Sequence, residues 1–408
     1  MENNNFLGKK RNFTEDMNKD VSNFNLNNNI INEDSFNTTP KTNQDSIGNE
    51  ELINDNKLYN EGITLDVHTH WVNKVLVLQK QPKHNLMSSS ADGKILVYNG
   101  YPDFNPILIM SLFGESGVTH LTELKNGSII ACSFGALKQI ILNYNNLNNN
   151  FTYDIINYFV ICTTYISKCI ELNNNDLLFI SQQNSIIILE KIKNNNEIKG
   201  NKINDTFIMK APIKLLNYEI CINILQLKDD LYISGSITDT KYNILVKNSK
   251  KVNANYVNFY NEKFEKICKF KNMFLTKSQE NIVKIDNRFV AIGIEMCLNE
   301  VNWNNNKGIA IINYNNFQLI TFYEVENQIS SILSYGKYLF IGDNKGYVSK
   351  YQFINNEMLL QKSKRVHFYN INSISCSNIY EKDLNQNTLL IYTGSNDNKI
   401  KITSYFKD

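Results

Sequence analysis

Ser88-Ser89-Ser90-Ala91-Asp92-Gly93-Lys94-Ile95-Leu96-Val97-Tyr98 decides the fold of this 408-residue chain. A hydroxyl-rich run, an Asp-Gly turn and an apolar run read as two short strands joined by a tight turn. His68, Val72 and Val75 precede the stretch. The same frame returns near the other end of the chain. There His367, Ile371 and Ile374 precede Thr393-Gly394-Ser395-Asn396-Asp397-Asn398-Lys399-Ile400-Lys401-Ile402. Spacing matches within each half of the frame, and only the loop between the halves differs in length. Asn398 stands where Gly93 stands, and asparagine is the side chain that best tolerates a positive φ.

Between these two frames the chain is a succession of short apolar runs rich in Ile, Val, Leu, Tyr and Phe, such as GSIIACSF, SIIILEKI and KYLFIGD. Asn, Asp, Ser and Gly separate them, and no stretch keeps a 3.6-residue period for three turns. The pattern predicts an all-β chain. Weaker copies of the frame fall at roughly 40–50-residue intervals. They run from Val118 to Tyr144, Ile166 to Ile192, Ile222 to Val246, Ile282 to Tyr314 and Ile329 to Tyr351, the last with Lys345 in place of the aspartate. With the two clear frames they make seven units. The final unit stops at its third strand, and an unpaired strand, Gly62 to Val67, precedes the first.

The two clear frames resemble the WD-repeat family. That resemblance implies a seven-bladed β-propeller over residues 61–408, closed by the N-terminal strand completing the last blade. Circular closure removes exposed sheet edges. The family's Trp-Asp pair is absent, with Tyr98-Asn99 and Thr403-Ser404 in its place. A pair of all-β sandwiches is the alternative architecture. Residues 1–60 are poor in large apolar groups and rich in Asn, Asp, Glu and Ser, which predicts a disordered Asn-rich tail.

Composition narrows the function. The 42 basic and 40 acidic residues leave a formal charge of +2, so no global field attracts nucleic acid or an anionic membrane. Arg11, Arg288 and Arg365 are the only arginines. Arginine forks carry most phosphate and guanine recognition, so nucleic-acid readers are disfavoured. No run approaches the ~20 apolar residues of a membrane span, and the N-terminus lacks a signal-peptide core. Membrane insertion is not expected. Seven scattered cysteines without a Cys-x-x-Cys pair read as reduced, buried thiols of a cytoplasmic or nuclear protein. Lys9-Lys10-Arg11 could serve nuclear import, although three basic residues more often form a solvated tail. Asparagine makes up about one residue in six, as an AT-rich genome would give, so Asn tracts say little about function.

Several constellations could carry chemistry. His68, Ser88, Asp92 and Tyr98 look catalytic on paper, as do His367, Thr393 and Asp397. The resemblance implies instead a structural hydrogen-bond chain in which the turn aspartate orients the histidine. Thr403 in the aromatic position should shorten the second chain. His68, His70 and His84 have no carboxylate or thiol at ligand spacing, so no metal is expected. Sialidase-type turns, phosphate loops, HExxH, GxSxG and the Phe-Arg-Arg-Gly motif are all absent. No catalytic residue and no cofactor is therefore assigned.

What remains is surface. In the family's strand order, connections from a fourth strand to the next first strand share the top face with second-to-third turns. Trp71 and Trp303 fall there, and tryptophan is enriched at binding hot spots. Glu115, Tyr165, Tyr218, Glu326 and Tyr369 are the further candidates. The expectation is a non-catalytic scaffold or adaptor, a monomeric propeller binding other proteins within a larger complex. The alternative is a propeller hydrolase acting on a modified protein, with its residues in the central channel. A lipid-binding propeller would need a basic pocket, and the lysines here are dispersed.

Overall fold

The computed structural model describes residues 62–80, 85–101, 103–145, 150–181, 185–192, 206–210, 213–214, 219–238, 255–270, 273–275, 278, 280–296, 306–381 and 386–406. The tail expected over residues 1–60 lies outside them. Among the described residues every regular element is a strand.

After β1 (Ile63–Leu65), a four-stranded antiparallel sheet forms from β2 (Val72–Val77), β3 (Leu86–Ser90), β4 (Ile95–Tyr98) and β5 (Pro106–Met110). Next come β6 (His120–Glu123), β7 (Ile129–Cys132), β8 (Phe134–Asn145) and the 22-residue β9 (Asn150–Glu171). β9 pairs with β8 from Asn150 to Tyr165 and then with β10 (Leu177–Ser181) from Ile166 to Glu171. One continuous strand thus ends one sheet and begins another, where a loop was expected at Tyr165. β11 (Ser185–Ile192), β12 (Thr206–Met209) and β13 (Ile213–Lys214) complete that second sheet.

β14 (Glu219–Lys228), β15 (Leu231–Thr238), β16 (Asn255–Tyr260) and β17 (Lys266–Phe270) form the next four-stranded sheet. Two short pieces, β18 (Met273–Leu275) and β19 (Ile282–Lys284), both pair with β20 (Phe289–Met296), followed by β21 (Asn306–Asn313) and β22 (Gln318–Glu324). β23 (Ile329–Tyr335), β24 (Tyr338–Asp343), β25 (Tyr347–Ile354) and β26 (Glu357–Arg365) make another sheet of four. The last contains β27 (Ile371–Glu381), β28 (Gln386–Ser395) and β29 (Ile400–Phe406), and its fourth strand is β1. Ile63 faces Ile402, and Leu65 faces Ile400.

The sheets stack face to face, which explains why the strands read as unbroken apolar runs. In β4, Ile95 and Val97 enter the cluster shared with Leu121, Ile129 and Ile140, whereas Leu96 and Tyr98 enter the cluster with Leu390, Tyr392 and Ile400. In β10, Leu177 and Phe179 face one neighbouring sheet, and Leu178 and Ile180 the other. A strand buried on both faces has no polar side to alternate with. Each fully buried Leu, Ile or Phe contributes about 1.5–3 kcal/mol.

The first strands meet at the centre. β2 contacts β6, β6 contacts β9, β9 contacts β14, β14 contacts β19, β19 contacts β23, β23 contacts β27, and β27 contacts β2.

Positive-φ positions sit at the turns. Gly93 has φ 80° and Gly346 φ 85°, and Asn398 occupies the corresponding turn with φ 67°. A Cβ on Gly93 would lie 2.7 Å from the Gly114 carbonyl oxygen, so this turn needs glycine for space as well as for its backbone angle. Phe104, Phe264 and Phe317 also adopt positive φ. Phe104 and Phe264 are buried, and that burial offsets the roughly 1–2 kcal/mol cost of the left-handed region. Among the cysteines, Cys132 and Cys169 are buried, but Cys162, Cys268 and Cys376 are only half-buried free thiols.

Candidate functional site

Three arrangements of polar side chains stand out, and they occupy different depths of the molecule.

The first, anticipated from the sequence, is the buried His68 chain. His68 Nδ1 lies 3.0 Å from Asp92 Oδ2 and its Nε2 lies 2.8 Å from Ser88 Oγ, which is in turn 3.4 Å from the Tyr98 hydroxyl. Asp92 also accepts the Thr69 and Lys94 backbone N–H groups, tying the connection before β2 to the β3–β4 turn. Burial lowers the His68 pKa against the opposing pull of Asp92. Burial also pushes Asp92 up, yet the Thr69 and Lys94 N–H donors and His68 outweigh it and leave its pKa below the usual value. Burial raises the Tyr98 hydroxyl to about 12. The His68 ring thus bridges the turn carboxylate on one side and the Ser88 hydroxyl on the other, and Ser88 in turn donates to the Tyr98 hydroxyl.

The second chain is shorter. His367 Nδ1 lies 2.9 Å from Asp397 Oδ2 and Nε2 2.8 Å from Thr393 Oγ1. At the tyrosine's place the buried Thr403 Oγ1 has no hydrogen-bond partner. In the β23–β26 sheet the chain is absent. Val325, Ile341 and Lys345 stand at the His68, Ser88 and Asp92 positions, and only Tyr351 is kept. These residues line a cavity of about 620 Å³ together with Tyr323, Asp343, Tyr347 and Arg365.

The sequence reading missed a second arrangement, at the inner circle of first strands. Lys74 Nζ pairs with Glu280 Oε2 at 2.7 Å, and His120 Nδ1 lies 4.0 Å from Glu280 Oε1. Lys168 Nζ donates to Asn223 Oδ1 at 2.7 Å, and Asn223 Nδ2 donates to Asn281 Oδ1 at 2.9 Å. Burial lowers the His120 pKa to about 3, reinforced by the charge of Lys74. Burial pushes Glu280 upward, but Lys74 and Lys168 overcome it and hold the carboxyl at about 2. The signal was present as a repeated apolar-polar-polar-apolar start to the first strands: VNKV, VTHL, ISKC, ISSI and INSI. Its second polar residue contributes Lys74, His120 and Lys168 to the centre. Its first reaches the neighbouring strand: Asn73 donates to Val118 O, Thr119 to Ile166 O, Ser330 to Ile371 O and Asn372 to Val72 O. Four consecutive sheet junctions are riveted by the same device.

The third arrangement is on the surface. The connection from β1 to β2 meets the β3–β4 turn, with Ala91 N–H donating to Trp71 O, and the β5–β6 connection joins them through Val118 N–H to Ser90 O. Here Trp71, Glu115 and Tyr165 line one concavity of about 570 Å³ with Asn73, Ala91, Ser116, Gly117 and Thr119. Trp71 is 49% exposed and Tyr165 44%. Tyr369, between β26 and β27, is exposed but does not line this concavity, and Glu326 lines the 620 Å³ cavity instead. Trp303 and Tyr218 lie outside the described residues. The candidates thus divide: three converge, two stand apart. Among the described residues no group of three His, Cys, Asp or Glu could hold a metal ion.

No family profile matches the chain, and no curated protein does. Solved structures do share its fold. A chain of the crystal structure of the mitotic checkpoint complex is 9% identical with a TM-score of 0.57, over 91% of this chain and 100% of its own. The crystal structure of Saccharomyces cerevisiae Sqt1 gives 10% identity and a TM-score of 0.58, over 85% and 100%. The structure of U3-55K gives 11% and 0.56, over 84% and 98%. These neighbours are WD40-type β-propeller proteins, and the chain is similar to them in fold.

Proposed function

We propose that the chain is a non-catalytic scaffold of a multiprotein complex, a seven-bladed WD-repeat-like propeller over residues 61–408 closed by β1. It works in the cytoplasm or nucleus as a single propeller that docks protein partners on the face carrying Trp71. The observation that carries this reading is the convergence of Trp71 and Glu115, from two connections, and Tyr165, from within β9, on one exposed concavity. A rigid stack of sheets presents such a surface with little ordering cost on binding. One similar structure is a chain of the mitotic checkpoint complex.

Affinity capture from native extract tests the reading, with the intact chain compared with Trp71→Ala and Tyr165→Ala variants of unchanged thermal stability. Stoichiometric partners held by the wild type and lost by both variants are expected. Identical partner sets would move docking to another face, and the absence of any stoichiometric partner would overturn the scaffold.

A second reading rests on the inner cluster. Among the described residues, His120 and Glu280, with displaced pKa values beside two lysines, are the constellation an enzyme of the central channel would use. Turnover of a modified-protein substrate that Glu280→Gln abolishes, in a variant still folded, would favour it.

A further inference from the structure

The concavity beside Trp71 has a chemistry narrower than a general docking patch. Two aromatic rings form its walls, and both are held in place. Phe134 stands edge-on to Tyr165 with centroids 5.0 Å apart at 85°. His70 stands edge-on to Trp71 at 5.0 Å and accepts the Trp71 backbone N–H at 2.8 Å. Two polar side chains of the lining are engaged with backbone: the Asn73 carboxamide donates to Val118 O at 2.9 Å and the Thr119 hydroxyl to Ile166 O at 2.6 Å, while Ser116 also lines the concavity. Glu115 is the one charged side chain of the lining. What the lining offers an incoming group is therefore π surface, a serine and one carboxylate. An anion would be repelled, and a wholly apolar group would desolvate Glu115 without pairing it. A cation satisfies both features, because aromatic faces, tryptophan above all, attract positive charge.

We propose that this concavity seats a basic side chain, an arginine in first place, presented by a partner protein. The inference rests on the docking reading above and specifies what is docked. A guanidinium is flat enough to lie on the Trp71 indole while two of its N–H groups reach the Glu115 carboxylate, a match an ammonium makes less fully.

The test uses the full chain and the capped tripeptides Gly-Arg-Gly, Gly-Lys-Gly and Gly-citrulline-Gly. Citrulline keeps the planar shape and removes the charge. Tryptophan fluorescence is followed at fixed ionic strength, and the part of the signal removed by Trp71→Phe reports the site. The arginine peptide should bind about three- to tenfold more tightly than the citrulline peptide, with lysine between them. Glu115→Gln should shrink the preference for arginine over citrulline, leaving only the part the aromatic faces supply. Arginine and citrulline titrating alike on the wild type, or an unchanged preference in Glu115→Gln, would overturn the proposal. If the peptides are not distinguished while Trp71→Ala still loses its partners from extract, this proposal falls and the docking reading stands. If arginine is preferred and extract partners are unaffected, the site stands and its role in docking falls.

Discussion

Asn372 donates from its carboxamide to the Val72 carbonyl at 2.9 Å, joining the first strand of the last sheet to that of the first across 300 residues of sequence. Asn372 also receives a second bond, its Oδ1 accepting from Asn370 at 2.7 Å, so its orientation is fixed on both sides. Replacing Asn372 by valine removes the donor and leaves Val72 O short of a partner in a half-buried position. A loss of about 1–3 kcal/mol is expected, read as a lower urea midpoint at unchanged m. A midpoint within error of wild type would show that this rivet carries no net stability.

Thr403 provides the opposite sign. Its hydroxyl is buried without a partner where Tyr98 completes the chain in the first frame. Thr403→Val removes the orphan oxygen at nearly constant volume, and a gain of about 1 kcal/mol is expected. Removal of His68, whose ring satisfies both Ser88 and Asp92, should cost at least as much as a core truncation, about 2–4 kcal/mol for His68→Ala. Thermal unfolding of the two variants side by side checks both directions, and a Thr403→Val chain less stable than wild type would contradict the first.

Acid should loosen the centre before the rim. His120 is held near pKa 3 in the folded chain against an ordinary 6.5, so the unfolded state binds the extra proton between those values. Stability then falls as pH drops from about 6.5 toward 3, the sign expected for a buried neutral histidine. Glu280 adds a second loss at lower pH, because its folded pKa of about 2 lies below the ordinary carboxylate value and its contribution disappears as it protonates. His68, lowered in the same direction, contributes to the first window. His120→Gln should flatten the dependence of the melting temperature on pH between 6.5 and 4, and an unaltered slope would remove His120 from the account.

The legible part of this fold was local. An Asp-Gly turn between a serine run and an apolar run marks a hairpin because each residue type has one backbone reason to be there, and Asn398 carries the same message through its tolerance of positive φ. The aromatic residues at positive φ were illegible, since Phe264 earns its strained backbone from tertiary burial and no local cue announces it. The continuous β9 was equally hidden: its passage from one sheet to the next is made by a change of pairing partner after Tyr165, not by a breaker. At the inner circle the difficulty was of another kind. Lys74 and Glu280 are 206 residues apart, and a lysine inside an apolar strand looks like a solvated face until the first strands of separate sheets are brought together. Trp71, Glu115 and Tyr165 were each found singly, whereas their shared concavity depends on how two connections fold against the middle of β9.

The pairing of β1 with β29 gives the last prediction. β1 supplies three residues to the outer edge of the final sheet, and Lys401 Nζ donates to Thr64 Oγ1 at 2.6 Å beside that pairing. Without β1 the β29 edge presents unpaired N–H and C=O groups, flanked by Ile400 and Ile402, to other chains. A chain beginning at residue 61 should keep the melting temperature of the full chain, because it keeps the strand. A chain beginning at residue 67 should melt several degrees lower and self-associate, since the lost contacts amount to about 1–2 kcal/mol and the freed edge templates pairing. Sedimentation velocity on the two truncations separates the effects. If both behave alike, β1 contributes nothing that the other three strands of its sheet do not already provide, and the seven-bladed reading loses its closing strand.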